Sequence, residues 1–403
     1  MIDTPTRGPL DGMKVVDLTT VLMAPLATLL MAEMGASVTK VESPGGDTLR
    51  DIGDSSGSRV GPLFLHANRG KKSVVLDLKK AEGRDVLLRL LAAADCFVYN
   101  VRPQAMARLG LSYEEVSCVN PRILYVGMFG FRQDGPYAAR AAYDDLIQGA
   151  AGVPWLGMQA GAEVPRYAPT AIADRYCGMA GLAQILAGLL HRERTGEGQK
   201  IDVPMFETFV HMVLSDHLYG KSFSASGQAG YERLLSMQRR PYRTSDGYIC
   251  LMVYNDKQWR QLFERIGERE LFESEPRLRD IASRTRNVDY AYGLLDERMR
   301  LKSTSEWLEI LEEADIPVMP MHSLDSLLSD PQVQSSRLVR SVADPVHGES
   351  QALRMGSEWS KTPPQDGQPA PLLGEHTAEV LADSGFTSGD ISRLLRDGVI
   401  RIA

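Results

Sequence analysis

An aspartate just inside a long apolar run is the residue of this chain best placed to react. Asp174 sits in Ala168-Pro-Thr-Ala-Ile-Ala-Asp-Arg-Tyr-Cys-Gly178, and Ala173–Arg194 has the pattern of the strongest helix in the sequence. A carboxylate near a helix N-terminus is favoured in its charged form by the backbone dipole. A charged carboxylate can attack an acyl carbon directly. The same position also suits an ordinary first-turn acid, where Asp is common, and the residue alone leaves both readings open. Tyr143-Asp144-Asp145 opens a second helix with two further acids. Adjacent positions on a helix do not face each other, so these two make a poor acid–base pair. Arg69-Gly-Lys-Lys72, Arg102 and Arg108 are either phosphate contacts or solvated loop charges. Arg239-Arg240, just before Pro241, either grips a carboxylate in a bidentate fork or lies in a surface turn.

Other chemistries lack their residues. Cys96, Cys118, Cys177 and Cys250 include no C-x-x-C pair, and the seven histidines form no H-E-x-x-H pattern. No disulfide framework and no bound metal are therefore expected, and free thiols suit a reducing cytoplasm. The turn after the first strand reads Thr19-Thr-Val-Leu-Met-Ala-Pro25, without G-x-G-x-x-G, and no Walker A sequence occurs. Dinucleotide or nucleoside triphosphate binding by those routes is not expected.

The elements that must position these residues begin with strand, helix and strand. Lys14–Leu18 reads as a buried strand, Ala24–Met34 as a helix stopped by Gly35, and Ser37–Glu42 as a second strand. Ser73–Leu78, Cys96–Asn100 and Ile123–Met128 continue the strand series, with a helix over Glu82–Ala93. That order predicts a parallel sheet with right-handed crossovers. Ser43–Gly70 reads as a long functional or mobile loop, and Ser112-Tyr-Glu-Glu115 as a capping box. After about Gly220 the pattern changes. Ser222–Gly230 is small and polar, Tyr242–Tyr254 reads as a hairpin turned at Asp246-Gly247, and helices are expected at Asp256–Ile266, Val288–Met299 and Ser305–Ala314. From about Pro331 the composition is loop-rich.

The whole is α/β: a large domain with a parallel sheet plus a smaller α+β domain. The expected boundaries are 1–220 for the first part of the large domain, 221–240 for a linker, and 241–325 for the small domain. A length of 403 residues exceeds the usual single domain of roughly 100–150. Apolar residues make up 43% and charged residues 24%, as in a packed enzyme. The net charge of -7 comes without any run of five like charges, so neither nucleic acid nor a membrane surface is an expected partner. Met1–Leu10 lacks the plan of a signal peptide.

Seven segments, in order, resemble the class III CoA-transferase family, which includes formyl-CoA transferase, carnitine CoA-transferase and α-methylacyl-CoA racemase. They are Pro9-Leu-Asp-Gly-Met-Lys-Val-Val-Asp-Leu18, Gly35-Ala-Ser-Val-Thr-Lys-Val-Glu42, Asn68-Arg-Gly-Lys-Lys-Ser-Val-Val-Leu-Asp-Leu-Lys79, Asn100-Val-Arg-Pro103, Arg108-Leu-Gly110, Thr195-Gly-Glu-Gly-Gln199 and Pro371-Leu-Leu-Gly-Glu-His-Thr377. The resemblance implies that Asp174 is the catalytic aspartate. It implies coenzyme A, carried as an acyl-CoA substrate, on Leu76, Asp77, Leu78, Lys79, Asn100, Val101, Arg102 and Arg108, with Tyr143 and Asp144 near the sulfur end. It further implies a Rossmann-like large domain built from both chain ends, with 326–403 as a linker and the C-terminal return to it, and an interlocked homodimer. The chain departs from formyl-CoA transferase at Ser43 and Ala141, where that enzyme has basic contacts, and at Leu22, where it has Gln. The glycine-rich flap of that enzyme is missing from Ser222–Arg240.

Within the family, transfer and racemisation need different residues. A racemase requires two bases, and racemase relatives carry a His where Tyr143 stands. A phenol, with an ordinary pKa of about 10, is a poor replacement near neutral pH. Transfer needs one carboxylate nucleophile, so the expected activity is CoA transfer from an acyl-CoA to a carboxylic acid through an aspartyl anhydride and an aspartyl-CoA thioester. The alternatives are a 2-methylacyl-CoA racemase and a CoA-binding protein without catalysis. Arg233, Arg239 and Arg240, lying where a flap would be, point to succinyl-CoA as donor and a small dicarboxylate as acceptor.

Overall fold

Alternating buried strands and amphipathic helices build the first half of the computed structural model, which describes residues 8–344, 346–365 and 368–403. The polar N-terminal stretch discussed above lies outside them as far as Arg7. The elements run β1 (Lys14–Leu18), α1 (Met23–Glu33), β2 (Ser37–Glu42), α2 (Pro62–Asn68), β3 (Lys72–Leu76), α3 (Ala81–Ala92), β4 (Cys96–Tyr99), α4 (Pro103–Arg108), α5 (Tyr113–Val119) and β5 (Leu124–Phe129). They continue with α6 (Asp144–Ala150), α7 (Val153–Gln159), α8 (Ile172–Thr195), β6 (Gln199–Pro204) and α9 (Met205–His217). The first two strands begin and end where the sequence places them. Residues in parallel strands covered on both faces read as apolar runs, and β4 and β5 are buried at every position.

The segment 43–70 is not a plain loop. Thr48–Arg50 forms a 3₁₀ turn and α2 follows, started by Pro62 in its first turn, where a missing N–H costs nothing. The capping box at Ser112 and Glu115 forms at the head of α5.

The chain divides into two compact units. The first takes residues through Gln148, Pro169–Val210 and Gln332–Ala403. Its sheet has the order β12-β3-β2-β1-β4-β5-β6, where β12 is the C-terminal strand Ile400–Arg401. All its pairings are parallel except β12 on β3. A core of Val16, Val41, Val74, Leu87, Phe97 and Tyr125 lies against the sheet. Helix α8 packs closely on α1 and on the sheet. A Cβ at Gly178 would lie 2.6 Å from the Met23 carbonyl oxygen, and one at Gly188 would lie 2.7 Å from Leu124. A larger residue at either position would push the helix outward, so the N-terminal turn of α8 is fixed by backbone packing.

The second unit comprises Gly149–Ala168 and His211–Pro331. It holds α7, α10 (Glu232–Leu235), a three-stranded sheet β7-β8-β9 (Tyr242–Arg243, Tyr248–Leu251, Val318–Pro320), and helices α11 (Asp256–Arg265), α12 (Arg269–Ser274), α13 (Ile281–Arg286), α14 (Val288–Met299) and α15 (Thr304–Glu313). Trp259, Phe263, Leu295 and Trp307 are among its core residues. The expected hairpin turns at Asp246, whose carboxylate accepts from the Thr304 amide at 2.8 Å. The loop-rich C-terminal stretch contains a further hairpin, β10 (Val339–Asp344) on β11 (Gly348–Leu353), and helices Thr377–Asp383 and Ser388–Arg396. Among the described residues, no helix is long and apolar enough to cross a membrane.

Candidate active site

Helix α8 starts without a side-chain cap, because Ala171 stands at the capping position. Its first-turn amides need acceptors from elsewhere. The Asp174 N–H finds one in Asp144 Oδ1, at 2.9 Å, from the first residue of α6. One turn further along α6, the Gln148 amide donates to Asp144 Oδ2 at 2.6 Å and lies 3.4 Å from the Thr170 carbonyl. Asp144 thereby ties the start of α6 to the start of α8. It also sets a carboxylate beside Asp174, which is only 8% exposed.

The dipole argument predicts an easily ionised Asp174. The structure reverses that expectation. Burial first, and then the charge of Asp144, push its pKa up to about 7, and Arg175 offsets only part of this. Loss of water around a carboxylate outweighs the partial charge of a helix end. Its ionised form is therefore poorly solvated where it stands. Cys177, the nearest thiol on α8, is no rival nucleophile. Burial and the two aspartates raise its pKa to about 12, and its Sγ donates to the Met205 carbonyl at 3.3 Å. Tyr143 is 63% exposed.

A second feature of the same unit is a cavity of about 530 Å³ at the C-terminal ends of β1, β2 and β3. Leu18, Val41, Pro44, Leu76, Leu78, Val101 and Leu109 form its apolar wall, with Thr20, Ser43, Asp77 and Lys79 supplying polar groups. Chain order reverses between β1 and β4, and open α/β sheets bind ligands in the crevice at such a reversal. Five of the sequence-expected CoA residues, Leu76, Asp77, Leu78, Lys79 and Val101, line this cavity. Asn100 instead braces it: its side chain donates to the Thr20 carbonyl at 2.7 Å and accepts from the Thr20 amide at 3.0 Å. Arg102 and Arg108 are exposed on and beside α4. Arg102 reaches the Ala139 carbonyl at 3.2 Å, on the segment that leads to Tyr143 and Asp144. Ser43 brings no positive charge to the wall, and Lys79 is the cation in the lining.

The charges of the cluster Arg69–Lys72 are paired within the fold. Lys71 is buried against Asp17 at 3.0 Å, Arg69 pairs with Glu33, and Lys72 with Glu379 at 2.7 Å. The carboxylates that neutralise the first two lie 54 and 36 positions away in the chain, so no local pattern announces them. Nearby, Lys40 bonds Asp47 at 3.0 Å and the Thr19 carbonyl at 2.7 Å. Asp47 in turn accepts from the amides of Leu49 and Val21 at 3.0 and 3.3 Å. The turn Pro44–Asp47, one wall of the cavity, is thus held by buried ions. Asp17, Lys40, Asp47 and Gln148 are positioning residues that the sequence reading missed. A charge inside an apolar strand is the one signal that marked Asp17 and Lys40. His66 was also missed: its Nδ1 is buried with no partner among the described residues, and burial lowers its pKa. The described residues contain no group of three or more His, Cys, Asp or Glu able to hold a metal ion.

A family model described as CoA-transferase family III matches residues 10–377. Succinate--glutarate CoA-transferase of Agrobacterium fabrum is 33% identical, over 95% of this chain and 98% of its own. Succinyl-CoA:glutarate CoA-transferase of Mus musculus is 31% identical, over 99% of this chain and 92% of its own. Among solved structures, a CAIB/BAIF family protein from Brucella suis superposes with a TM-score of 0.78 at 30% identity, covering 94% of this chain and 100% of that one. Rv3272 from Mycobacterium tuberculosis, in an orthorhombic crystal form, gives 0.80 at 28% identity, covering 93% and 99%.

Proposed function

Because the chain belongs to CoA-transferase family III, we propose that Asp174 is the nucleophile through which it moves CoA from an acyl-CoA to a carboxylic acid. Transfer of CoA between a thioester and an acid is the activity of its relatives and of this enzyme. The observation that carries the role of Asp174 is its position: a buried carboxyl at the first turn of α8, its own amide held by Asp144.

The ionised Asp174 carboxylate attacks the thioester carbonyl of the donor. A C–O bond forms, the C–S bond breaks, and CoA thiolate leaves a mixed anhydride behind. The thiolate then attacks the aspartyl carbonyl and expels the donor acid as its carboxylate, giving an aspartyl-CoA thioester. The acceptor carboxylate attacks that thioester, forming a second anhydride and releasing the thiolate again. Attack of the thiolate on the acceptor's acyl carbon yields the new acyl-CoA and restores Asp174. No net proton is taken up, so the site needs no separate base. Burial keeps water from the two anhydrides, which it would hydrolyse. Incubation with succinyl-CoA followed by hydroxylamine or borohydride should leave a modification on the peptide containing Asp174, read by mass spectrometry. Turnover with an unmodified Asp174 peptide would remove the mechanism.

Acyl-CoA sits across the β1–β4 reversal in this reading. The apolar wall of Leu76, Leu78 and Val101 suits the flat adenine, and Asp77 can accept from its amino group. Lys79, Arg102 and Arg108 face the phosphates, while Tyr143 and Asp144 stand at the sulfur end. The donor is succinyl-CoA and the acceptor a small dicarboxylic acid, as the names of the Agrobacterium and mouse relatives suggest. An acceptor panel in which only monocarboxylic acids turned over would overturn this choice.

The large CoA-binding domain and the small α+β domain assemble as an interlocked homodimer. Exposed Met179 and Leu190 on α8 offer apolar surface for a second copy. Sedimentation as a monomer at micromolar concentration would exclude it. Four free thiols support a reducing cytoplasm as its compartment.

One observation favours a second reading. A buried carboxyl tied through its own amide to a second carboxylate, with its pKa pushed up to about 7, suits proton transfer as well as nucleophilic attack, as a 2-methylacyl-CoA racemase would require. Deuterium incorporation at the α-carbon of a 2-methylacyl-CoA, without any trapped adduct, would select that reading.

A further inference from the structure

The second unit contains an arginine that its own fold leaves without a counter-charge. Arg233, in α10, is half-buried and lines a small cavity of about 70 Å³. Its neighbours are phenols and sulfur. Its Nε donates to Tyr292 Oη at 3.0 Å, Nη2 approaches Met252 Sδ at 3.6 Å, and Tyr231 shares the lining. Among the described residues no carboxylate pairs with it. The other arginine of the lining, Arg284, is 5% exposed and is neutralised by Asp256. Elsewhere in the unit, Arg298 pairs with Glu268 and Arg300 with Asp296, at 3.0 and 2.7 Å. The cavity therefore carries a local charge of one positive unit.

A half-buried guanidinium without a carboxylate from its own fold is free to pair with an anion from outside. The surroundings define what that is. Val253, Trp259 and Ala291 lie deep in the unit, at 4%, 2% and 1% exposure, and Tyr254 and Ile281 stand exposed at the rim. Such a site pairs one planar anion with a short apolar stem. Its volume is far too small for a nucleotide. A guanidinium fork matches the two oxygens of a carboxylate, and Tyr292, by holding Nε, orients the fork.

We propose that Arg233 and its tyrosine-lined cavity form a carboxylate subsite, taking one end of a short dicarboxylic acid. The proposal rests on the reading of the enzyme as a transferase for small dicarboxylates and assigns the recognition of the acid to one side chain. It also corrects the grouping of Arg233 with Arg239 and Arg240. Arg240 lies 3.5 Å from Asp296 and bonds Gln238 at 3.3 Å, and Arg239 is exposed outside the cavity.

Isothermal titration of the full-length protein with glutarate, in the absence of CoA, tests the subsite directly. Arg233→Met should weaken binding by on the order of 10- to 100-fold, the loss of one charge-assisted fork. Arg239→Met should leave it unchanged. Tyr292→Phe should weaken it several-fold by releasing Nε. If Arg233→Met fails to fold, Arg233→Lys carries the test, because it keeps the charge and loses the fork. Wild-type affinity in whichever variant folds, or no glutarate binding by the wild type, would overturn the proposal. Asp174→Asn separates the two claims. If it binds glutarate normally while an acyl-CoA panel shows no transfer by the wild type, the subsite stands and the transferase substrate reading falls.

Discussion

Asp17 and Asp174 are both buried carboxylates of the same unit, and the fold treats them oppositely. Asp17 is wholly enclosed in β1 and fully partnered. Lys71 lies at 3.0 Å, the Thr28 hydroxyl donates at 2.7 Å, and the Thr19 amide at 3.0 Å. Burial alone would raise its pKa, but the charges of Lys71 and Lys40 and the two hydroxyls more than offset that, so it is lowered. Asp174 has a second carboxylate for a neighbour, and its pKa rises to about 7. Complete compensation keeps Asp17 readily ionised; withheld compensation makes Asp174 hard to ionise. Burial itself does not distinguish the two, and the partners do.

The sharpest break of this comparison is to remove each acid in turn. Asp174→Ala should lower kcat by on the order of 10⁴-fold or more, as loss of a nucleophile does, with the fold intact by circular dichroism. Full turnover in that variant would end the assignment. Asp17→Ala should act on the fold instead. It leaves Lys71 buried without its partner and should cost about 3–5 kcal/mol of unfolding free energy, read in denaturant titrations. A variant near wild-type stability would show that the network is incidental.

Stability against pH should also separate the two positions. The folded-state pKa of Asp174 lies above its unfolded value of 3.8. Its contribution is therefore fully present below about pH 4 and is lost as pH rises through 7. Asp174→Asn should stabilise the protein at pH 8 by on the order of 2–4 kcal/mol and have almost no such effect at pH 4. Asp17 has the opposite sign: its stabilisation is present above its unfolded pKa and is lost as pH falls through the lowered folded value. Equal effects of pH on Asp174→Asn and wild type would contradict the raised pKa.

A smaller effect is expected at Asp144. Asp144→Asn keeps an oxygen for the Asp174 amide and removes the like charge. The pH–rate midpoint should fall from its wild-type position toward that of an ordinary carboxylate. An unmoved midpoint would leave burial as the whole cause. Smallest is Lys79→Ala. Its exposed ammonium should be worth only about 1 kcal/mol against a phosphate, seen as a several-fold higher KM for acyl-CoA at unchanged kcat.

Much of the frame was legible before folding. β1, β2 and α14 have the bounds that periodicity predicts, and the capping box at Ser112 and the turn at Asp246 form as their residue types require. These features are set by neighbours within a few positions. The hairpin β10–β11 and helix α2 were hidden in stretches whose composition reads as loop, because their order comes from packing more than from local pattern. The cavity residues Leu76–Lys79 and Val101 came from family resemblance, and the fold gathers them: they lie at or follow the C-terminal ends of β3 and β4, on either side of β2 and β1 in the sheet.

The sequence by itself determined an α/β frame and the position of an acid at the start of α8. It could not determine what that acid would be. Only the tertiary structure brought Asp144 from 30 positions away to hold the Asp174 amide, and only it brought Lys71 from 54 positions away to Asp17. Charge state depends on distance in space and on lost water, and neither is written in the order of residues along the chain.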